Sequence, residues 1–353
     1  MKIAQISPLY EAVPPRLYGG TERIVASLCD ALVELGHDVT LFAAADARTR
    51  ARLVPVRDQS IRLDTAPLKS DFAAHLAMLD EVRRRQDDFD VLHFHIDLLH
   101  FPFFEDIAER TLTTIHGRLD IKDLAGAYAR WPRFRLASIS DRQRAPLPDG
   151  NWAATVQHGL PAELYRVPAN PDNGYLAFLG RISPEKRVDR AIAVAIRAGL
   201  RLKIAAKIDS VDRGYFHDCI EPMLAHPLIE FIGEIGDAQK SEFLGIAKAL
   251  MFPIDWPEPF GLVMIEAMAC GTPVIAWKCG SVPEVIDHGV TGFIVENEDD
   301  ALSALEQLGS LSRLRIRHVF ERRFSAIAMA RRYLGVYANQ LGVEQEEALK
   351  DAV

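Results

Sequence analysis

Two glutamates, Glu258 and Glu266, lie within the segment DWPEPFGLVMIEAMACGTPVIA, residues 255–276. Pro257 and Pro259 flank Glu258 and forbid helix around it, because proline lacks an amide hydrogen and restricts the residue before it. Glu258 therefore belongs on a stiff loop at the C-terminal end of the apolar run Ala249–Phe252, the end of a parallel sheet at which ligands bind. Gly261 permits a close turn into a helix whose first amides, on Leu262, Val263 and Met264, lack intrahelical partners. Those donors and the helix dipole favour a phosphate. Glu266, just over one turn along, is placed to accept two hydrogen bonds from a ribose diol. Together these groups suit a nucleotide-sugar, whereas each glutamate alone reads equally well as a solvated surface charge.

A second segment, FLGRISPEKRVDRAI at 178–192, brings two cations to the same edge. The strand Tyr175–Leu179 delivers Arg181 to a loop, and Pro184-Glu185-Lys186 is expected to start the next helix. A guanidinium and an ammonium converging on one point suit a diphosphate leaving group. Solvent-facing residues of a first helical turn are the alternative, which the helix dipole disfavours for basic side chains. Histidines follow strand-like runs at HFH, 93–95, and TIHG, 114–117. His116 directly follows Thr111–Ile115 and is expected to be functional, His93 structural, and His95 either. A carboxylate at metal-ligand spacing is lacking, so no metal site is expected. Gly19-Gly20 before a helix opening at Thr21 can bring amides against a ligand or serve as a plain turn; no GxGxxG is present.

Short apolar runs alternate with amphipathic segments throughout, the pattern of parallel sheets covered by helices. Strands are expected at Lys2–Ser7, Asp38–Ala43, Val91–His95, Thr111–Ile115 and Leu136–Ser140, then at Tyr175–Leu179, Leu202–Ala206, Ile229–Ile232, Ala249–Phe252 and Pro273–Trp277. Helices are expected near Thr21–Leu35, Val188–Ala198, Ala238–Ala247, Leu262–Cys270, Ala301–Leu308 and Ser325–Leu341, with an acidic tail ending KDAV. The Pro- and Asn-rich stretch Pro161–Gly174 reads as a linker. The expected division is 1–165, 166–330 and a C-terminal segment 331–353 whose helix crosses back to the first domain.

The 353 residues suit about two domains. Forty-one basic against 49 acidic residues leave a net charge of −8, which argues against general nucleic-acid binding. No apolar run spans a bilayer, and Cys29, Cys219, Cys270 and Cys279 show no zinc or disulfide pattern and read as reduced, mostly buried thiols. A cytoplasmic protein is expected. Between Lys122 and Arg144, five arginines interleave with Leu124, Tyr128, Trp131 and Phe134, a mixture that can lie on anionic lipid. Pro132 and a buried strand interrupt it, so weak, salt-sensitive association at most is expected, and the stretch is a candidate acceptor-side surface. Asp88-Phe89-Asp90 precedes a strand, the wrong end of a sheet for a donor metal.

GGTE at 19–22, ELGHDVTLF, DVLHFH, TIHG, SIS at 138–140, GRISPEKRVDRAI, FIGEIGD at 231–237, EPFGLVMIE, GTPVIA and GSVPEVIDHGVTGFIV together resemble family 4 of the retaining nucleotide-sugar glycosyltransferases, across nearly the whole chain. The resemblance implies a GT-B fold, two Rossmann-like domains facing across a cleft, and a hexosyltransferase. By resemblance, Arg181 and Lys186 bind the donor diphosphate, Glu258 the transferred sugar, and Glu266 the ribose. Gly261, Leu262 and Val263 supply amides, Glu234 and Ile235 contact the base through their backbone, Gly20 approaches the phosphate, and His116 is the active-site histidine. It further implies retention of configuration without metal or other cofactor, from a UDP-glucose-like donor first and GDP-mannose second, to an unknown small-molecule, glycan or lipid acceptor. A nucleotide-sugar epimerase or hydrolase, or a non-catalytic nucleotide-sugar-binding protein, are the alternatives. QHGLP at 157–161 departs from the family's usual Asn-Gly turn, and the short stretch between TIHG and SIS leaves little room for an acceptor lobe.

Overall fold

The computed structural model describes residues 1–16, 19–169 and 174–343. Part of the expected linker and the KDAV tail lie outside the described residues. The chain divides into two compact units, Met1–Gly159 with Ala326–Val353, and Leu160–Ser325. The divisions fall at Gly159 and Ser325, where composition suggests 165 and 330.

The first unit is built on seven strands: β1 (Lys2–Ile6), β2 (Asp38–Ala44), β3 (Arg52–Arg57), β4 (Val91–Phe94), β5 (Thr111–Thr114), β6 (Arg135–Ser138) and β7 (Trp152–Thr155). They pair in parallel in the order β3-β2-β1-β4-β5-β6-β7. Strands β4 and β5 are buried at every residue, as strands covered on both faces must be. Helix α1 (Gly20–Glu34) packs against the C-terminal helix Ala326–Leu341, which brings Tyr333 and Tyr337, both fully buried, against the sheet. Helix α2 (Asp71–Arg84) is capped by Ser70, whose hydroxyl accepts from the amide of Ala73 at 3.2 Å.

The second unit has six strands: β8 (Tyr175–Arg181), β9 (Arg201–Lys207), β10 (Ile229–Gly233), β11 (Ala249–Phe252), β12 (Val274–Trp277) and β13 (Gly292–Val295). Their order is β10-β9-β8-β11-β12-β13, again all parallel. Its longer helices are α3 (Val188–Ala198), α4 (Asp237–Gly245), α5 (Leu262–Ala269), α6 (Glu298–Gln307) and α7 (Arg313–Phe324). Helix α7 carries arginines that satisfy the carbonyls left open where other helices end. Arg313 donates to Gly245, the last residue of α4, at 2.7 Å, and Arg317 to Ala269, the last residue of α5, at 2.6 Å. Arg317 also holds the carbonyls of Tyr165 at 2.9 Å and Ala162 at 2.6 Å.

In each sheet the strand order reverses once, between β1 and β4 and between β8 and β11. Such a reversal opens a crevice beyond the carboxyl ends of the two strands. Strands β3, β7 and β13 were not among those expected, and all three are sheet edges. Edge strands need no continuous apolar run, and β3 accommodates Pro55 because an edge tolerates a missing donor. Of the free thiols, Cys29 and Cys270 are buried, Cys219 is exposed and Cys279 half-buried, so the expected burial holds for only two. The Lys122–Arg144 stretch is a short helix, Leu124–Ala129, followed by a turn and β6. Tyr128 and Phe134 face the core of this unit rather than solvent. Among the described residues no helix is long and apolar enough to cross a membrane.

Arg317→Ala leaves three carbonyls without their charged donor, each bond being of the kind worth about 1.5–3 kcal/mol. Urea unfolding should show a loss of about 2 kcal/mol or more; a change within about 0.5 kcal/mol, the range of an ordinary surface substitution, would contradict this clamp.

Candidate functional site

The crevice of the second unit is lined by the loops that follow β8 and β11, which carry Arg181–Lys186 and Pro253–Gly261. The amide of Asp255 donates to the carbonyl of Glu185 at 2.9 Å and ties these loops together. Lys186 and Glu258 form an ion pair across the same gap. The indole N–H of Trp256 donates to the same carboxylate oxygen of Glu258 at 2.9 Å, and the Lys186 ammonium lies 4.9 Å from the Trp256 ring centroid. Glu258 is thus held at two points, and Lys186 is held by charge and by a π-face.

Pro184–Lys186 is a separate 3₁₀ turn, Arg187 follows in the left-handed region at φ 51°, and α3 begins only at Val188. The expectation that this tripeptide starts the helix is therefore corrected, and with it the dipole argument about Lys186. The proline favours the turn, and the left-handed residue breaks it from the helix.

Arg181 and Lys186 have separate partners. Arg181 pairs with Glu185 at 2.5 Å, Asp209 at 3.4 Å and Asp212 at 3.7 Å. Gly261 caps α5 in the left-handed region at φ 81°, and a side chain there would press on Phe252 and Met264. The amides of Leu262 and Val263 open the helix, as their position requires. Glu266 is not a surface charge: it is 3% exposed, and its Oε1 accepts from Lys240 at 2.8 Å and Tyr165 at 3.0 Å. Glu234 is exposed and Ile235 buried, on the turn between β10 and α4.

Gly280 fixes the Glu258 loop from beneath. Its φ is +54°, and a Cβ there would stand 2.4 Å from the amide nitrogen and 2.5 Å from the carbonyl oxygen of Glu258. The amide of Ser281 donates to that carbonyl at 3.0 Å. Trp256, Lys240, Tyr165 and Gly280 were not anticipated as site residues. Only Gly280, in the GSVPE motif, carried a local signal, a lone glycine just before a short proline-bearing turn.

In the first unit, Gly20 opens α1. His116 follows β5, and its Nε2 lies 2.9 Å from Nδ1 of His95, whose Nε2 is 2.8 Å from the carboxamide oxygen of Gln5. His116 also stacks on His158, with centroids 5.2 Å apart, so the histidine that departs from the family turn joins this group. Burial lowers His116 to about 3 and holds His93, His95 and His158 well below the ordinary imidazole range, with neighbouring imidazoles adding to it for those three. All four rings are neutral near pH 7. The Nδ1 of His116 is buried with no hydrogen-bond partner among the described residues. The Asp88-Phe89-Asp90 carboxylates lie before β4, at the opposite edge of this sheet.

A family model described as glycosyl transferases group 1 matches residues 164–320, and one described as glycosyltransferase family 4 matches residues 18–156. A D-inositol 3-phosphate glycosyltransferase from Streptomyces scabiei is 33% identical over 168 residues, 44% of this chain and 35% of that protein. The chain thus spans about a third of that relative. One of the same name from Thermobispora bispora is 24% identical over 92% of this chain and 90% of its own length. Among solved structures, AviGT4, a glycosyltransferase involved in avilamycin A biosynthesis, superposes with a TM-score of 0.72 at 24% identity, covering 97% of this chain and 98% of its own. Anabaena HepE in complex with UDP and glucose gives 0.72 at 17% identity, covering 96% and 99%. The fold is GT-B.

Gly280→Ala should leave the chain folded but displace the Glu258 loop, lowering turnover by about a hundredfold, the cost of roughly an ångström of misplacement. Wild-type turnover in that variant would show that the loop tolerates the shift. Unfolded imidazoles titrate near 6.5. Their folded values are lowered, so below ~6.5 the unfolded chain binds protons that the folded one refuses. Stability to urea should therefore fall from pH 7 to pH 5, less steeply in His95→Gln; an unchanged slope in that variant would contradict the assignment.

Proposed function

The chain belongs to glycosyltransferase family 4 and is a glycosyltransferase, and from that premise we propose that it moves a hexosyl group from a nucleotide-sugar to an acceptor hydroxyl with retention of configuration. The observation that carries this reading is the Lys186–Glu258 pair at the β8/β11 crevice, beside the open amides of α5. A donor diphosphate replaces Glu258 as the partner of Lys186 and takes the amides of Gly261, Leu262 and Val263. Glu258, released from its cation but still held by Trp256, then accepts from hydroxyls of the transferred sugar. Arg181 reaches the diphosphate by sharing its guanidinium with Glu185 and Asp209. Glu266, already oriented by Lys240 and Tyr165, holds the ribose, and Glu234 and Ile235 offer their backbone to the base.

In the first unit, the residues to which the family resemblance gives a role are Gly20, which opens α1, and His116, whose ring is neutral. In the reaction the bond from the anomeric carbon to the diphosphate oxygen breaks while the acceptor oxygen bonds to that carbon from the same face. The acceptor proton passes to the departing diphosphate oxygen. Positive charge develops on the ring and negative charge on the leaving group, so fixed cations and amide dipoles act where charge appears. Those charges come from side chains and a helix terminus, which supports metal-independent transfer. UDP-glucose is the first donor proposed, supported by the UDP and glucose of the HepE complex, and GDP-mannose the second. The relatives' name supports an inositol phosphate as acceptor.

A mass-spectrometric screen of nucleotide-sugars with inositol phosphates and sugar acceptors, run in EDTA, should show a glycosylated product from one donor class. Nucleotide release without any product would mean hydrolysis instead, and a strict requirement for added magnesium or manganese would overturn the metal-independent reading. Arg181→Ala and Lys186→Ala should each lower turnover about a hundredfold to a thousandfold, as loss of one charge-stabilising donor does. Wild-type rates in either folded variant would remove it from the diphosphate site.

A further inference from the structure

His116 stands at the end of a buried chain of hydrogen bonds that runs through the first sheet into the C-terminal helix. Beyond the His116–His95–Gln5 contacts, the Gln5 carboxamide nitrogen donates to the Tyr337 hydroxyl at 3.1 Å. That hydroxyl lies 2.7 Å from Nδ1 of His93, whose Nε2 is 2.7 Å from the Thr114 hydroxyl, which lies 2.8 Å from the Tyr333 hydroxyl. Gln5, His93, His95, Thr114, Tyr333 and Tyr337 are all buried.

A neutral imidazole carries one N–H, so a ring with both nitrogens engaged must donate at one and accept at the other. His93 and His95 are such rings, and the Tyr337 hydroxyl likewise accepts once and donates once. The sense of any single bond therefore sets the sense of all. Only the primary carboxamide of Gln5 has one face that solely donates and another that solely accepts. With its oxygen toward His95, donation runs from His116 through His95, Gln5, Tyr337, His93 and Thr114 to Tyr333. His116 then carries its proton on Nε2 and leaves Nδ1 as a bare lone pair. Turning the amide over would reverse every bond and place the proton on Nδ1.

We propose that Gln5 is a positioning residue for His116, setting through His95 which ring nitrogen holds the proton and so keeping Nδ1 of His116 an unprotonated hydrogen-bond acceptor. The inference deepens the proposed role of His116 and rests on it. Gln5 is anchored on its other side by Tyr337, so the C-terminal helix helps to set the chemistry at the far end of the wire. The same rule holds wherever a histidine's second nitrogen is held by a carbonyl or carboxylate, which fixes the tautomer.

Nitrogen-15 correlation spectra of histidine-labelled protein read the tautomers directly. The wild type should show His93, His95 and His116 each protonated on Nε2. Tyr337→Phe preserves ring volume but leaves the amide free to turn, so a second, Nδ1-protonated form of His116 should appear; Gln5→Met should produce the same mixture. Protonation of His116 on Nδ1 in the wild type, or an unchanged His116 signal in both variants, would overturn the proposal. Both variants should lower kcat about tenfold or more, within the range that general acid–base groups contribute, with KM for the donor little changed. An altered tautomer with normal kcat would uphold the wire and count instead against His116 as a reacting group.

Discussion

The reversal of strand order in a parallel sheet is the constraint on which both sites depend. Chain leaving the two strands at the reversal must turn to opposite faces, so backbone ends and loop side chains stand beside a gap that no helix fills. In the second unit that gap lies between β8 and β11, and it is bridged by the Asp255–Glu185 backbone bond and the Lys186–Glu258 pair. In the first unit it lies between β1 and β4, where the register sets Gln5 opposite His93 and the amide of His95 donates to the carbonyl of Ile6 at 3.0 Å. The carboxamide and the imidazoles meet because neighbouring strands place them there.

The charges of the proposed donor site suit exchange. Lys186 and Glu258 are about four-fifths covered yet not sealed, with 19% and 13% of their side chains exposed. A diphosphate that replaces one carboxylate by another anion keeps Lys186 paired and avoids the penalty of a lone buried charge. Arg181, surrounded by Glu185, Asp209 and Asp212, is held in a fixed pose at the cost of part of its field. Glu266 differs from both: buried against Lys240 and Tyr165, its carboxylate is oriented before any ligand arrives.

Much of this was legible in the sequence, for physical reasons. Strands buried on both faces leave apolar runs, so β1, β4, β5, β8 and β11 could be read, and the glutamates and cations could be assigned to the edge that follows them. Edge strand β3 was not legible, because RLVPVR carries an arginine at each end and an internal proline, whereas β13 is a four-residue apolar run, GFIV, too short to stand out from the loop before it. Helix α7 hides behind its arginines, whose work is to close the ends of α4 and α5. Lys240, Tyr165 and Gln5 were invisible because each acts on a group distant in the chain, and spacing carries no signal of such a contact. His95 could be read either way, and it bonds on both sides.

A crystal structure with an intact donor, such as UDP-glucose or a non-transferable analogue, tests the central claim most directly. The account predicts the diphosphate at the amino end of α5 with Lys186 turned onto it, and Glu258 on the hydroxyls of the sugar. A donor bound elsewhere, or bound there with the Lys186–Glu258 pair intact, would contradict it.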